Sequence, residues 1–148
     1  MATQTDISVE QEKIRRLVQD WEDAVRRRDI DTLMAFYAPD IVAYDVIAPL
    51  RFVGEEAYRK DWEMGFSMCQ GETESEIRDL NITVGADVAF CHWLNRMSGT
   101  SNEGEHFDCW VRWTQCWRKT DGAWQITHEH ISVPVDMEGN KALMDLKP

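Results

Sequence analysis

Apolar and charged positions alternate with the period of a helix in the first part of the chain. The apolar positions recur every three or four residues, at Ile14, Leu17, Val18, Trp21, Ala24 and Val25. Such a one-sided stripe predicts an amphipathic helix from about Ser8 to Arg28. A second, short helix can be capped by Asp29 or Asp31 and stopped by the segment 38–40, which contains a proline. It would contain Leu33, Met34, Phe36 and Tyr37.

The pattern then changes from one strand to another helix. Ile41–Val46 is rich in β-branched residues and predicts a strand, and a loop follows between Pro49 and Gly54. From Glu55 to about Cys69, apolar side chains lie roughly one helical turn apart, at Tyr58, Trp62, Phe66 and Cys69. This spacing predicts a third helix with an aromatic face.

The second half of the chain has the texture of a sheet. Four β-rich segments are separated by short turns, namely Leu80–Val84, Val88–Ser98, His106–Lys119 and Ala123–Val135. Short turns join strands that are neighbours in sequence, so these segments predict an antiparallel meander. Three helices followed by such a sheet predict an α+β domain, in which the helices pack on one face of a curved sheet and leave a pocket.

Length and charge restrict the class of protein. The 148 residues suit a single domain, residues 1–148, and the net charge of −11 disfavours nucleic acid and anionic membranes as partners. Residues 1–6 are polar, and no apolar run approaches the ~18 residues of a membrane span. We therefore expect a cytoplasmic protein. The four cysteines form no C-x-x-C pair and are expected to be reduced and structural.

Several segments together resemble a known family. They are Trp21 with 28–31, residues 36–40, Tyr44 with Asp45, residues 49–50 with Gly54, and residues 121–124 running into 128–132. They resemble the nuclear-transport-factor-like superfamily of cone-shaped, cystatin-like α+β domains. That superfamily includes ketosteroid isomerases, SnoaL-type polyketide cyclases and calmodulin-dependent kinase association domains. The resemblance covers about residues 9–135 and implies a SnoaL-like domain with a small-molecule pocket and no cofactor.

The resemblance makes Asp45 the leading catalytic candidate. In ketosteroid isomerases, the corresponding strand ends in an aspartate that moves protons beside a carbonyl group. A carboxylate that faces an apolar pocket resists ionisation, so its pKa rises toward a value useful in a general base. Two departures from the isomerase pattern are Trp21, where its oxyanion-hole tyrosine would lie, and Thr114, near its protonated aspartate. Alternatively, Asp45 accepts hydrogen bonds from the loop 46–51 or pairs with an arginine.

Two histidines near the end of the chain form the other conspicuous pattern. His128 and His130 are two residues apart on a predicted strand and therefore share one face, an arrangement that can bind a metal. A third ligand could come from Asp45, His92 or His106. Because no H-E-x-x-H motif or cysteine pair accompanies them, we expect structural histidines and no metal.

The register of the last hairpin decides which side chains face the pocket. A two-residue loop, Asp121–Gly122, places Thr114 opposite Glu129. A three-residue loop with a bulge instead places Thr114 opposite His128 and brings both histidines to the face of Arg112. These alternatives stay open. Since one residue of slip moves every side chain to the other face, the sequence does not choose between them.

A gapless overlay on ketosteroid isomerase favours a pocket face that contains Thr127, Glu129 and Ile131. The outer face would then contain His128, His130, Trp113 and Trp117. Such an exposed aromatic face is unusual on a monomer, so we expect a homodimer that packs through the outer sheet face.

The candidate site residues follow from these arguments. The catalytic candidates are Asp45, Glu129 and His130. The substrate-pocket candidates are Trp21, Tyr44, Tyr58, Trp62, His92, Arg96, Arg112, Thr114 and His128. Among them, Arg96 and Arg112 can bind a small anion, or they can pair internally with Asp45, Glu129 or Asp108.

Two functions fit the sequence. The first is a cofactor-independent isomerase, cyclase or dehydratase that acts on a small hydrophobic carbonyl compound by acid–base proton transfer, with Asp45 as the proton acceptor. The second is a non-catalytic ligand-binding or dimerisation domain, because one fold serves many functions.

Overall fold

The computed structural model describes residues 3–148, so Met1 and Ala2 of the polar start lie outside the described residues. Helix α1 spans Gln4–Arg27 and begins earlier than the predicted Ser8. Thr3 caps it, because its hydroxyl accepts a hydrogen bond from the Asp6 backbone N–H at 3.1 Å while the Asp6 carboxylate accepts one from the Thr3 backbone. This reciprocal pair fixes the start of the helix before its apolar stripe begins.

The next segment corrects two sequence predictions. Helix α2 spans only Ile30–Met34, and strand β1 spans Tyr37–Tyr44, so Tyr37 belongs to the strand and not to the helix. The segment 38–40 lies within β1, although its proline was expected to stop a helix. The pairing of β1 is irregular between Tyr37 and Val42, which accommodates the proline because no regular ladder bond is needed there.

The remaining elements complete a helix layer and a curved sheet. Strand β2 spans Phe52–Val53 and helix α3 spans Glu55–Ser67. The long strands that follow are β3 (Cys69–Val84), β4 (Val88–Ser101), β5 (His106–Thr120) and β6 (Ala123–Ser132). A small hairpin of β7 (Val135–Asp136) and β8 (Lys141–Ala142) ends the described chain.

The main sheet has the strand order β2-β1-β6-β5-β4-β3. Strands β3 to β6 form the predicted antiparallel meander, while β1 pairs with β6 in parallel. The α+β architecture with three helices is therefore confirmed. Strand β3 is far longer than the predicted Leu80–Val84. Its first half is polar, so its alternation lacked the apolar residues from which a strand is recognised.

The core lies between the helices and the inner face of the sheet, and Trp21 of α1 is at its centre. The Trp21 ring packs edge-on against Trp62, Trp93 and Trp113, with ring centroids 5.0–6.3 Å apart. Trp117 is also fully buried on this inner face. The expectation that Trp113 and Trp117 face outward is therefore wrong, because both are needed to fill the space beneath α1.

The last hairpin adopts neither predicted register throughout. Its turn has the two-residue form, since Thr120 pairs with Ala123. The pairing then slips by one residue at Thr127, so Glu129 lies opposite Gln115. This bulge turns Glu129 onto the inner face and places the histidines on the outer face. Within residues 3–148, no helix has the length and apolar character needed to cross a membrane.

Candidate active site

An apolar pocket of about 240 Å³ opens between α3, the end of β1 and the inner face of the sheet. Four methionines form much of its wall, namely Met64, Met68, Met97 and Met144. Trp62, Trp113, Val111 and Ile131 close the other sides. Three larger depressions, of about 280, 370 and 580 Å³, are open surface grooves without a buried carboxyl group. The smaller pocket is therefore the better candidate for a chemical site.

The polar side of this pocket is a pair of acids. Asp45 follows the last residue of β1, and Asp61 projects from the inward face of α3. Asp61 is only 6% exposed, and its buried Oδ1 atom receives no hydrogen bond from a protein N–H or hydroxyl group among residues 3–148. Asp45 Oδ1 accepts a hydrogen bond of 2.6 Å from the Val46 backbone N–H. The Asp45 carboxylate is thus held in place, whereas no donor among residues 3–148 holds Asp61 Oδ1.

Burial, together with a hydrogen bond to Asp45 and the charge of Asp45, raises the pKa of Asp61 to about 7. Two close carboxyl groups cannot both ionise cheaply in an apolar site, so they hold one proton between them near neutral pH. Such a pair presents one acid and one base to a bound molecule. The Asp45 carboxylate can accept a proton, and the Asp61 carboxyl group can donate one.

Asp61 was missed in the sequence because it looks like a solvent-exposed residue beside Lys60. Its position on the helix was nevertheless informative. Asp61 lies three residues after Tyr58 and one before Trp62, and both of these are buried on the inward face of α3. An acid within an aromatic stripe is the signal that could have identified it.

A second buried carboxyl group lies behind the pocket. Glu129 is fully buried, and it accepts hydrogen bonds from Tyr58 Oη at 2.6 Å, Tyr37 Oη at 2.9 Å and Gln115 Nε2 at 2.8 Å. Burial raises the pKa of Glu129 to about 7, although these donors oppose the shift. Trp21 Nε1 in turn donates to Tyr37 Oη at 2.9 Å. Glu129, Tyr58 and Trp21 therefore form an internal network and do not line the pocket.

Seven of the expected site residues lie on the outer face of the sheet, away from the pocket. They are Tyr44, His92, Arg96, Arg112, Thr114, His128 and His130. On β4, the side chains of Cys91, Trp93 and Asn95 are the buried ones, so their neighbours face outward. These assignments to the pocket are wrong for two reasons. The bulge at Thr127 turns the two histidines of β6 outward, and the alternation of β1, β4 and β5 buries the neighbours of the other five residues instead.

The outer-face residues have partners of their own. Arg96 forms two hydrogen bonds with Asp108, at 2.8 and 2.7 Å, which confirms the internal pairing expected for that arginine. His128 Nδ1 lies 2.7 Å from the Val42 carbonyl oxygen. The Tyr44 ring contacts the rings of His128 and His130 edge-on. These contacts make the two histidines part of the sheet surface and leave no catalytic role for His130 at the pocket.

Within residues 3–148, no group of three or more His, Cys, Asp or Glu side chains is placed to hold a metal ion. All four cysteines are free thiols. Of the expected site residues, the structure brings Asp45 and Trp62 to the pocket. Their chemistry there is that of an acid–base pair beside an aromatic wall.

Comparison with known proteins identifies the family. The family model of the SnoaL-like domain matches residues 14–136. A structure of an NTF2-like protein of unknown function from Pseudomonas putida KT2440 is 43% identical, with 95% of this chain and 98% of that chain covered and a TM-score of 0.88. No curated protein matches the chain.

Two more distant structures share the fold. A ketosteroid isomerase-like protein from Erwinia carotovora atroseptica is 22% identical, with a TM-score of 0.73 and coverage of 83% of this chain and 95% of that chain. The association domain of C. elegans CaMKII is 18% identical, with a TM-score of 0.67 and coverage of 86% and 98%. Together with the match over residues 14–136, these similarities show that the chain belongs to the SnoaL-like domain family of NTF2-like folds.

Proposed function

We propose that the protein is a cofactor-independent enzyme that moves protons on a small hydrophobic carbonyl compound, in the manner of an isomerase, cyclase or dehydratase. The observation that carries this proposal is the buried Asp61, whose Oδ1 atom has no hydrogen-bond donor among residues 3–148 and which lines an apolar pocket together with Asp45. A buried acid without another donor is costly for stability, so its retention in a pocket points to chemistry.

The proposed reaction uses the two acids in different protonation states. The Asp45 carboxylate removes a proton from the carbon next to the carbonyl group, while the Asp61 carboxyl group donates its proton to the carbonyl oxygen. An enol forms and both protons are accounted for. The enol oxygen then returns its proton to Asp61 while Asp45 gives its proton to a carbon conjugated with the enol, which completes an isomerisation. If Asp45 gives that proton to a β-hydroxyl group instead, the group leaves as water and a dehydration is complete.

The surroundings of the acid pair favour this chemistry. Trp62, Trp113 and the four methionines give the pocket an apolar wall, which strengthens the electrostatic effect of each carboxyl group on a bound molecule. A volume of about 240 Å³ is below the ~300–1,000 Å³ of pockets for drug-sized ligands, so the substrate is small. One or two fused rings are the size that fits.

The experiment is hydrogen exchange at the α-carbon of tetralone and indanone in deuterated buffer, followed by proton NMR. We expect exchange faster than in buffer alone, a loss of at least about 100-fold in Asp45→Asn, and a smaller loss in Asp61→Asn. Because Asp61 must carry its proton, the rate should fall as pH rises above about 7. Asp121→Asn, in the exposed hairpin turn, is the matched control and should exchange at the wild-type rate. The proposal is contradicted if the wild-type protein exchanges the α-hydrogen no faster than buffer does, or if Asp45→Asn exchanges it at the wild-type rate.

A further inference from the structure

The pocket is unusual in the sign of its charged groups. Its lining includes the two carboxyl groups of Asp45 and Asp61 and no Lys, Arg or His side chain. Cys109, the other titratable group in the wall, is half-buried, and burial raises the pKa of its thiol, so it stays neutral. Tyr58, which lies near Asp45, also stays protonated because burial and the charge of Glu129 raise its pKa. No group in the wall can neutralise a bound anion.

The acid pair also lacks a donor. Among residues 3–148, Asp61 Oδ1 is buried without a hydrogen bond from an N–H or hydroxyl group, and the donor to Asp45 Oδ1 is the Val46 backbone. A single proton between the two acids satisfies them in the empty pocket. An ammonium group placed there would do the same, because it supplies N–H donors and a positive charge where two acceptors converge.

The rest of the wall suits the body of such a ligand. Trp62 and Trp113 offer two aromatic rings whose planes are inclined by 29°, with centroids 6.1 Å apart. Aromatic faces attract cations, and methionine side chains adapt their shape to rings of differing outline. The wall therefore accepts a hydrophobic ring whether the group beside the acids is neutral or cationic.

We infer that this pocket selects its ligands by charge: it takes uncharged carbonyl compounds as substrates, rejects carboxylates and phosphates, and binds hydrophobic ammonium ions of the same size as inhibitors at Asp45 and Asp61. That the uncharged carbonyl compounds are substrates, and not merely ligands, rests on the proposed function. The selection by charge depends only on the residues that line the pocket.

The test is calorimetric titration of the full chain with three probes that share one ring system, naphthylmethylamine, naphthylmethanol and naphthoic acid. We expect the amine to bind at least about tenfold more tightly than the alcohol, and the acid to show no saturable binding at tenfold higher concentration. In Asp61→Asn, the affinities for amine and alcohol should come within about threefold of each other. Because the chain has a net charge of −11, methylamine serves as the control for attraction to its surface.

Met97→Trp provides a second variant, since the larger ring reduces the volume of the pocket and leaves both acids in the sequence, and it should weaken the amine and the alcohol alike. Equal binding of the acid and the alcohol overturns the inference. An amine preference that survives Asp61→Asn also overturns it, as does undiminished binding of the amine in Met97→Trp or failure of both the amine and the alcohol to bind. Selective binding of the amine without α-carbon exchange in tetralone would support this inference and contradict the proposed reaction. Exchange in tetralone together with tight binding of naphthoic acid would support the reaction and contradict the inference.

Discussion

The pH dependence of stability should reveal the buried Glu129. Its pKa is raised from 4.5 to about 7 because the folded chain removes it from water, so folding favours its protonated form. The contribution of such a group to the free energy of unfolding is complete below its pKa in the unfolded chain. It is lost as the pH rises through its pKa in the folded protein. At ~1.4 kcal/mol per pH unit, the two pKa values give a loss of about 2–3 kcal/mol between about pH 5 and about pH 8.

The variant Glu129→Gln isolates this contribution. Glutamine has nearly the same size and can still accept hydrogen bonds from Tyr58 and Tyr37, while the Gln115 amide can rotate to accept from the new amide group. We therefore expect the free energy of unfolding of wild type, relative to the variant, to fall by about 2 kcal/mol from pH 5 to pH 8.

Urea unfolding followed by circular dichroism at both pH values is the assay, with Glu103→Gln in an exposed turn as the matched control. Asp61 contributes with the same sign, but it is present in both proteins and cancels in the difference. The reasoning is refuted if the difference in free energy of unfolding between wild type and Glu129→Gln changes by less than ~0.5 kcal/mol from pH 5 to pH 8, or changes in the opposite direction.

Two further predictions concern the internal network and the outer face. Tyr58→Phe removes the shortest hydrogen bond to Glu129 and should lower the free energy of unfolding by about 1–3 kcal/mol, measured in urea; a loss below about 0.3 kcal/mol contradicts this. Although Trp113 and Trp117 are buried, the exposed Tyr44 and Phe90 still support a homodimer through the outer sheet face, so Phe90→Glu, at a side chain 47% exposed, should convert dimer to monomer in sedimentation equilibrium. A monomeric wild-type protein contradicts that expectation.

The parts of the fold that sequence predicts are those in which one local pattern decides the structure. The apolar stripes of α1 and α3 fixed both helices to within a few residues, because an amphipathic helix needs only its own periodicity. Strand β3 was largely missed because its polar half is specified by pairing with β4, which is a long-range contact. The bulge at Thr127 was missed for the same reason, and with it the orientation of both histidines.

The site shows the same division. Asp45 was found because the resemblance to ketosteroid isomerases covers its position, and the structure places it in the pocket. The resemblance does not mark its partner Asp61, and the sequence alone does not distinguish a buried aspartate from an exposed one. Only tertiary packing, which puts Trp62 and Asp61 on the inward face of α3, brings the two acids together.

The most direct test of the account is the titration of the Asp61 carboxyl carbon by carbon-13 NMR, in wild type and in Asp45→Asn. We predict a midpoint of about 7 in wild type and a lower midpoint in the variant, because the asparagine removes the charge of Asp45 and offers an amide donor to the ionised Asp61. A wild-type midpoint near the ordinary 3.8, or a midpoint that Asp45→Asn leaves unchanged, would contradict the claim that the two acids share a proton in the pocket.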